Sequence, residues 1–279
     1  MAPNNIINFG KLLKIKRYSK NTITVYLSFL QLFESIFNIK DWECLSNKDL
    51  LNFSYQYISK KNLSYSSQKQ LLSVLKLFYS EMFNRYVNLD SVRPKVKPNS
   101  NPVVLSKSEI KKLINSSHNL KHKAVMATIY SLGLRSGELI NLKIVDLDGD
   151  RDIISVVNSK GDKDRIVMFS NKLKTLLRNY YKEYTPKKYL FEGINGGQYS
   201  RSSLQNILKK YGKIAGIKKS FTVHTLRHSF ATHLLEEGVG ISHIQKLLGH
   251  SNIKTTLIYT QIAKDSLMKI KSPLDSLEI

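Results

Sequence analysis

The chain has 279 residues, with 44 Lys and Arg against 21 Asp and Glu and a formal charge of +23. That excess exceeds what solubility needs and implies a polyanionic partner, while fifteen tyrosines argue against a disordered basic tail. The single Cys44 excludes an internal disulfide and a cysteine-built zinc site. No apolar run approaches the roughly 20 residues of a membrane span, and the opening MAPNNIINFG does not read as a signal peptide, so the expectation is a soluble, cytoplasmic protein with no membrane association.

The length suits two domains. Residues 1–90 read as a helical bundle. Ser19-x-x-Thr22 leads into Val25, Tyr26, Phe29, Leu30, Phe33 and Ile36 at helical period; a second helix fits Asn47 to Ile58; a third begins near Ser64 and carries Leu71, Leu72, Val74, Leu75, Leu77, Phe78 and Met82. Lys11, Lys14, Lys16, Arg17, Lys20, Lys60, Lys61 and Lys69 fall before or between these helices. Any one of them fits a solvated surface; as a set they suit a groove that neutralises phosphates and releases counterions. Residues 91–103, SVRPKVKPNSNPV, hold three prolines and little to bury. They read as a linker whose Arg93, Lys95 and Lys97 cross a nucleic-acid backbone.

The second domain, 104–279, opens on Ser106-x-x-Glu109, a capping box ahead of Ile110 and Leu113. A buried helix fits Lys121 to Leu132, Gly133 breaks it, and Leu134-Arg135-Ser136-Gly137-Glu138-Leu139 starts another. Taken alone, Arg135 and Glu138 suit an ordinary surface pair one turn apart. The one β signal is Ile153, Ile154, Val156 and Val157, then Ile166, Val167 and Met168, across a polar hairpin loop containing Lys160, Gly161 and Lys163. A helix over Asn171–Tyr184 and another near Ser203–Tyr211 offer no chemistry beyond phosphate contacts.

The chemistry concentrates between His224 and Tyr259, which hold five of the seven histidines. Leu226, Phe230 and Leu234 make one helix ended by Gly238, Ile241 to Leu248 a second ended by Gly249, and Lys254 to Tyr259 a short third. His224 and Arg227 then lie one turn apart, His250 follows a helix end, and glycine turns can bring these with Tyr259 to one point. Such a point suits phosphoryl transfer, where guanidinium and imidazole donors meet the non-bridging oxygens and a tyrosine helped to ionise attacks. The rival is a metal site on His224 and His228, but H-E-x-x-H is absent and no aspartate lies between His224 and Ser251, so no metal is expected. His228, His233 and His243 fit packing, capping or backbone contact, and Tyr259 by itself could be one more core aromatic.

His224-Thr225-Leu226-Arg227-His228, then Leu247-Leu248-Gly249-His250-Ser251, then Tyr259 nine residues after His250 resemble the tyrosine recombinase/integrase family. Upstream, Tyr130 to Leu139 (YSLGLRSGEL) is similar to its first arginine box, and SKGDKDR (residues 159–165) to its β-hairpin loop. Ser19, Thr22 and Tyr26 look like the usual opening of its core-binding domain. The resemblance implies a mainly α fold with a small β-sheet: an N-terminal SAM-like helical bundle and a C-terminal tyrosine recombinase catalytic domain, clamped on DNA. It implies a site-specific recombinase in which Tyr259 attacks a phosphate to give a 3′-phosphotyrosyl link. Arg135, His224, Arg227 and His250 would stabilise the phosphorane, Glu138 would brace the site, and Lys160, with Lys163 as rival, would protonate the leaving 5′ oxygen. No cofactor, metal or ATP is implied. The implied partners are double-stranded DNA with a specific recombination site and three further copies of the chain, a tetramer whose tails dock on neighbours; the apolar face here (Leu267, Met268, Ile270, Leu274, Leu277 and Ile279) equally fits packing back on its own domain. Without a further N-terminal arm-binding domain the pattern leans towards an Xer-like or mobile-element enzyme. The alternatives are a type IB topoisomerase-like relaxing enzyme and a DNA-binding regulator without catalysis.

Overall fold

The computed structural model describes residues 5–96, 102–157, 164–193 and 196–260. The chain divides into two compact units, Met1–Ser100 and Asn101–Ile279. Helices dominate both units, and among the described residues there is one sheet, of three strands. Among the described residues no helix is long and apolar enough to cross a membrane.

The first unit packs α1 (Asn5–Ile15), α2 (Lys20–Phe37), α3 (Asn47–Lys61) and α4 (Tyr65–Phe83), followed by a short 3-10 turn at Asp90–Val92. Local chemistry sets its punctuation. Ser19, Ser46 and Ser64 cap the starts of α2, α3 and α4, each accepting a backbone N–H three residues on; Asn38, Asn62 and Asn84 end them in the left-handed conformation. Phe9, Leu13, Leu30, Phe33, Trp42, Leu50, Leu75, Phe78 and Tyr79 fill the core. The Tyr79 hydroxyl donates to Trp42 O at 2.7 Å, so this polar atom is buried with a partner. The periodicity places the first helix at Ser19, but the structure has one before it. Ile6, Phe9 and Leu13 give α1 a buried face too short to stand out among the lysines, and Lys11 and Lys14 are helical, not loop, residues.

The second unit runs α5 (Lys107–Asn115), α6 (Leu120–Leu132), α7 (Ser136–Asn141), β1 (Leu147–Asp148), β2 (Ile153–Val156), β3 (Arg165–Met168), α8 (Asn171–Tyr184), α9 (Arg201–Ile214), α10 (Val223–Glu236), α11 (Ile241–Leu248) and α12 (Lys254–Leu257). The Ser106–Glu109 capping box is formed at the start of α5. The sheet is antiparallel in the order β1-β2-β3; β1 has no apolar run to reveal it. In the β2–β3 pair, Ile154 faces Val167 and Val156 faces Arg165 on the inner side, while Ile166 and Met168 point out, each 60% exposed. The inner face of β3 is therefore Arg165 and Val167, not the whole apolar run Ile166–Met168.

The buried helix α6 packs on α8 and α10 and ends at Gly133, φ +58°. Two constraints fix that glycine: the left-handed backbone and a Cβ position 2.5 Å from Phe230 Cδ1. Gly133→Ala is expected to cost about 2–4 kcal/mol, strain and overpacking together. A chemical denaturation midpoint equal to wild type would show that neither constraint binds.

Candidate functional site

Glu138 organises the site. It is the third residue of α7, and its side chain is 4% exposed. One carboxylate oxygen accepts the Arg135 backbone N–H at 2.8 Å and the other accepts Arg135 Nη1 at 2.9 Å. Arg165 meets both oxygens with Nη1 and Nη2, each at 2.8 Å, and donates Nε to Leu247 O at 2.6 Å. Arg227 Nη1 lies 3.5 Å from the same carboxylate. Burial alone would raise the Glu138 pKa; the Arg165 hydrogen bonds and charge, with the Arg135 N–H and the Arg227 charge, outweigh it and hold the group at about 2. Glu138 and Arg135 are thus no surface pair. Three guanidiniums share one carboxylate, leaving an excess of positive charge that an anion would offset.

Arg227, on α10, is 2% exposed. Nη1 donates to Gly133 O at 2.8 Å and Nη2 to Leu248 O at 2.6 Å, so the left-handed turn after α6 and the end of α11 hold it. Nη2 also lies 3.0 Å from His250 Nε2. A guanidinium has no lone pair, so Nε2 must be the acceptor; the His250 proton then sits on Nδ1 and is donated to Thr256 Oγ1 at 2.9 Å. Burial, then the charges of Arg227, Arg135 and Arg165, lower the His250 pKa to about 4, in keeping with a neutral ring. Partial desolvation by the surrounding protein, then the charges of Arg227 and Arg135, also lower the His224 pKa, although this residue on the first turn of α10 keeps much of its surface open to solvent.

Tyr259 lies two residues past the end of α12, not within it. Its ring packs with Phe230, Ala231, Ile244 and Leu248, and stacks on His250 at 6.5 Å between centroids. Its hydroxyl meets His228 Nδ1 at 3.0 Å. Burial raises the Tyr259 pKa, partly opposed by Arg227 and Arg135.

The described site thus brings together Arg135, Glu138, Arg227, His250 and Tyr259, with His224 one turn from Arg227. Lys160 and Lys163 lie outside the described residues, as do Lys97 and residues 261–279. In the first unit, Lys14, Lys16, Arg17 and Lys20 are exposed around the α1–α2 corner, with Lys16 paired to Glu81. Lys69 and Arg93 line one cleft of about 230 Å³, and Lys95 is exposed. Among the described residues no three His, Cys, Asp or Glu side chains are grouped to hold a metal.

The pattern of the phage integrase family matches residues 103–266, and that of the phage integrase N-terminal SAM-like domain matches residues 7–89. The chain belongs to the phage integrase family. The tyrosine recombinase XerA of Pyrococcus furiosus is 34% identical over 277 residues, covering 97% of this chain and 93% of that protein. A crystal structure of XerA recombinase superimposes with a TM-score of 0.57 at 33% identity, over 95% of each chain. The XerH site-specific recombinase bound to palindromic difH substrate, 24% identical, shares the fold with a TM-score of 0.72 over 91% of this chain and 80% of that one. The homologues of this family member are tyrosine recombinases, enzymes that transfer DNA strands.

Within this site, three contacts escape the motifs. Arg165 reads as loop, although it sits two residues before Val167 and so shares its inward face. His228 is four residues from His224 on α10, yet it reaches Tyr259 where packing is expected. Thr256, fully buried, carries no signal of its role towards His250.

Proposed function

We propose that the chain is a site-specific DNA recombinase that cuts and rejoins strands through Tyr259. The observation that supports this most is a buried tyrosine stacked on His250, which accepts from Arg227, and acted on by the charges of Arg227 and Arg135, two of three guanidiniums gathered on one buried carboxylate. In this reading Tyr259 Oη attacks the scissile phosphorus, giving a 3′-phosphotyrosyl link and a free 5′-hydroxyl. Arg135, at 28% side-chain exposure, meets the non-bridging oxygens with His224 beside it, while His250 accepts from Arg227 and holds it in place. Arg227, held by protein carbonyls, supplies charge from below. Lys160, or Lys163, gives the 5′ oxygen its proton. The tyrosyl ester keeps the bond energy, so neither ATP nor a metal ion is consumed. Lys14, Lys16, Arg17, Lys20, Lys69, Arg93, Lys95 and Lys97 follow the DNA backbone, with 91–103 as a strap between domains 1–90 and 104–279. Exchange between two duplexes takes four protomers and passes through a Holliday junction, giving integration, excision or resolution.

The test is to express the chain, sequence the genomic junctions it creates, and build a nicked suicide duplex from the site so mapped. Recombinant junctions support the reading. Supercoil relaxation without junctions would make it a topoisomerase-like enzyme, and binding without either would make it a regulator. On the suicide duplex, Arg135→Ala is expected to cleave on the order of 10²–10³-fold more slowly, the scale of one lost donor to a developing oxyanion. Lys160→Ala should recover when the 5′-bridging oxygen is sulfur, a leaving group that needs no proton. Rescue of Lys163→Ala instead would transfer the role to that residue.

A further inference from the structure

Tyr259 is 1% exposed, and among the described residues its hydroxyl has a single hydrogen-bond partner, His228 Nδ1 at 3.0 Å. A buried phenol O–H needs an acceptor, and this nitrogen is the one within reach. The His228 proton therefore sits on Nε2, and the lone pair of Nδ1 faces the phenol. The other imidazole beside Tyr259 cannot serve in this arrangement, because His250 Nε2 accepts from Arg227 and its Nδ1 proton goes to Thr256. His224 stacks on His228, ring centroids 6.3 Å apart, and it is His228 that meets the Tyr259 hydroxyl.

We propose that His228 is a further catalytic residue, which holds the Tyr259 hydroxyl and takes its proton as the tyrosine attacks. The inference rests on Tyr259 being the nucleophile. As the Oη–P bond forms, the O–H bond breaks and its proton passes to Nδ1, giving an imidazolium. The P–O5′ bond breaks with its electron pair on the 5′ oxygen, which is protonated by the general acid. On rejoining, the 5′-hydroxyl attacks and returns its proton to the deprotonated general acid, the P–Oη bond breaks, and the imidazolium returns its proton to Oη. A weakly basic imidazole suffices, because a phenol bonding to phosphorus becomes far more acidic than its ordinary pKa of about 10. Burial, His224 and Arg227 keep His228 neutral and ready to accept, with a pKa of about 4.

Two variants of the full chain separate holding from proton transfer. His228→Asn leaves an acceptor near the Nδ1 position but no basicity; His228→Ala leaves space. Both are expected to form adduct on the nicked duplex on the order of 10²–10⁴-fold more slowly, the range of a lost general base, with gel-shift affinity for the intact duplex unchanged. Added imidazole should restore part of the rate to the Ala variant. An Asn variant within about threefold of wild type overturns the proposal, as does an Ala variant that is slow and indifferent to imidazole. The nitrogen-15 shifts of His228 in the wild-type chain give a reading independent of either variant. The Nε2–H tautomer is expected, and the Nδ1–H tautomer would overturn it. If instead Tyr259→Phe still forms an adduct, the nucleophile assignment fails rather than the role of His228 beside it.

Discussion

Tyr259→Phe is expected to leave the chain bound to its DNA and to abolish the covalent adduct. The substitution removes one oxygen from a ring that is otherwise packed on Phe230, Ala231, Ile244 and Leu248, so the local core keeps its volume. What is lost in the folded state is one hydrogen bond to His228, about 0.5–1.5 kcal/mol, too little to unfold a domain of this size. DNA affinity draws on the +23 charge spread over the chain, to which a neutral phenol adds nothing. The chemistry is another matter. Neither Arg135 nor Arg227 can act as a nucleophile, and His250 is held by Arg227 and Thr256, so adduct formation on a suicide duplex should fall on the order of 10⁴-fold or more. The measurement is a denaturing gel beside a native gel shift. An adduct that persists in the Phe variant would place the nucleophile on another residue.

The residues at this site were legible to different degrees, for physical reasons. Arg227, His250 and Tyr259 lie within one short stretch, where helix periods and glycine stops alone show that they can converge. Arg135 is remote in sequence, and Gly133 beside it marks only a turn. Its partnership with Glu138 reads as a surface pair, because nothing in the spacing of two charges says whether their helix faces water or core. Arg165 is the extreme case. An arginine next to a polar loop ordinarily points outwards, and only the alternation of β3, with Ile166 and Met168 left exposed, shows that it turns in. In the fold as a whole, long helices with serine starts, such as α2, α4 and α8, are legible from pattern. The two-residue strand β1 and the lysine-rich helix α1 are not, since tertiary pairing and packing define them more than local periodicity does.

Glu138→Ala is expected to be the most damaging substitution for stability, because it removes a negative charge from among buried positive ones. Arg165 and Arg227 have side chains 4% and 2% exposed, and among the described residues this carboxylate is the one acidic group that meets both. Breaking a buried pair by deleting one member costs about 3–5 kcal/mol, mainly through the charge left behind without compensation. The pH dependence has the matching sign. The folded pKa of about 2 lies below the unfolded value of about 4.3, so the stabilisation is complete above the unfolded pKa and is lost as pH falls through the folded one. The window runs from about pH 5 down to about pH 2, with about 3 kcal/mol at stake in wild type and none in the Ala variant. A double variant, Glu138→Leu with Arg165→Met, separates fold from chemistry. Apolar replacement of a buried pair is commonly neutral or stabilising, so the denaturation midpoint should recover in part, with the remainder lost because Arg227 stays without its counter-charge. Cleavage should not return, because Arg135 has then lost the carboxylate that fixes its guanidinium and Arg227 the charge that offsets its burial. A single Glu138→Ala variant with a wild-type midpoint would mean that the arginines are not held by this carboxylate. A double variant that regained both stability and cleavage would mean that the carboxylate serves the fold alone.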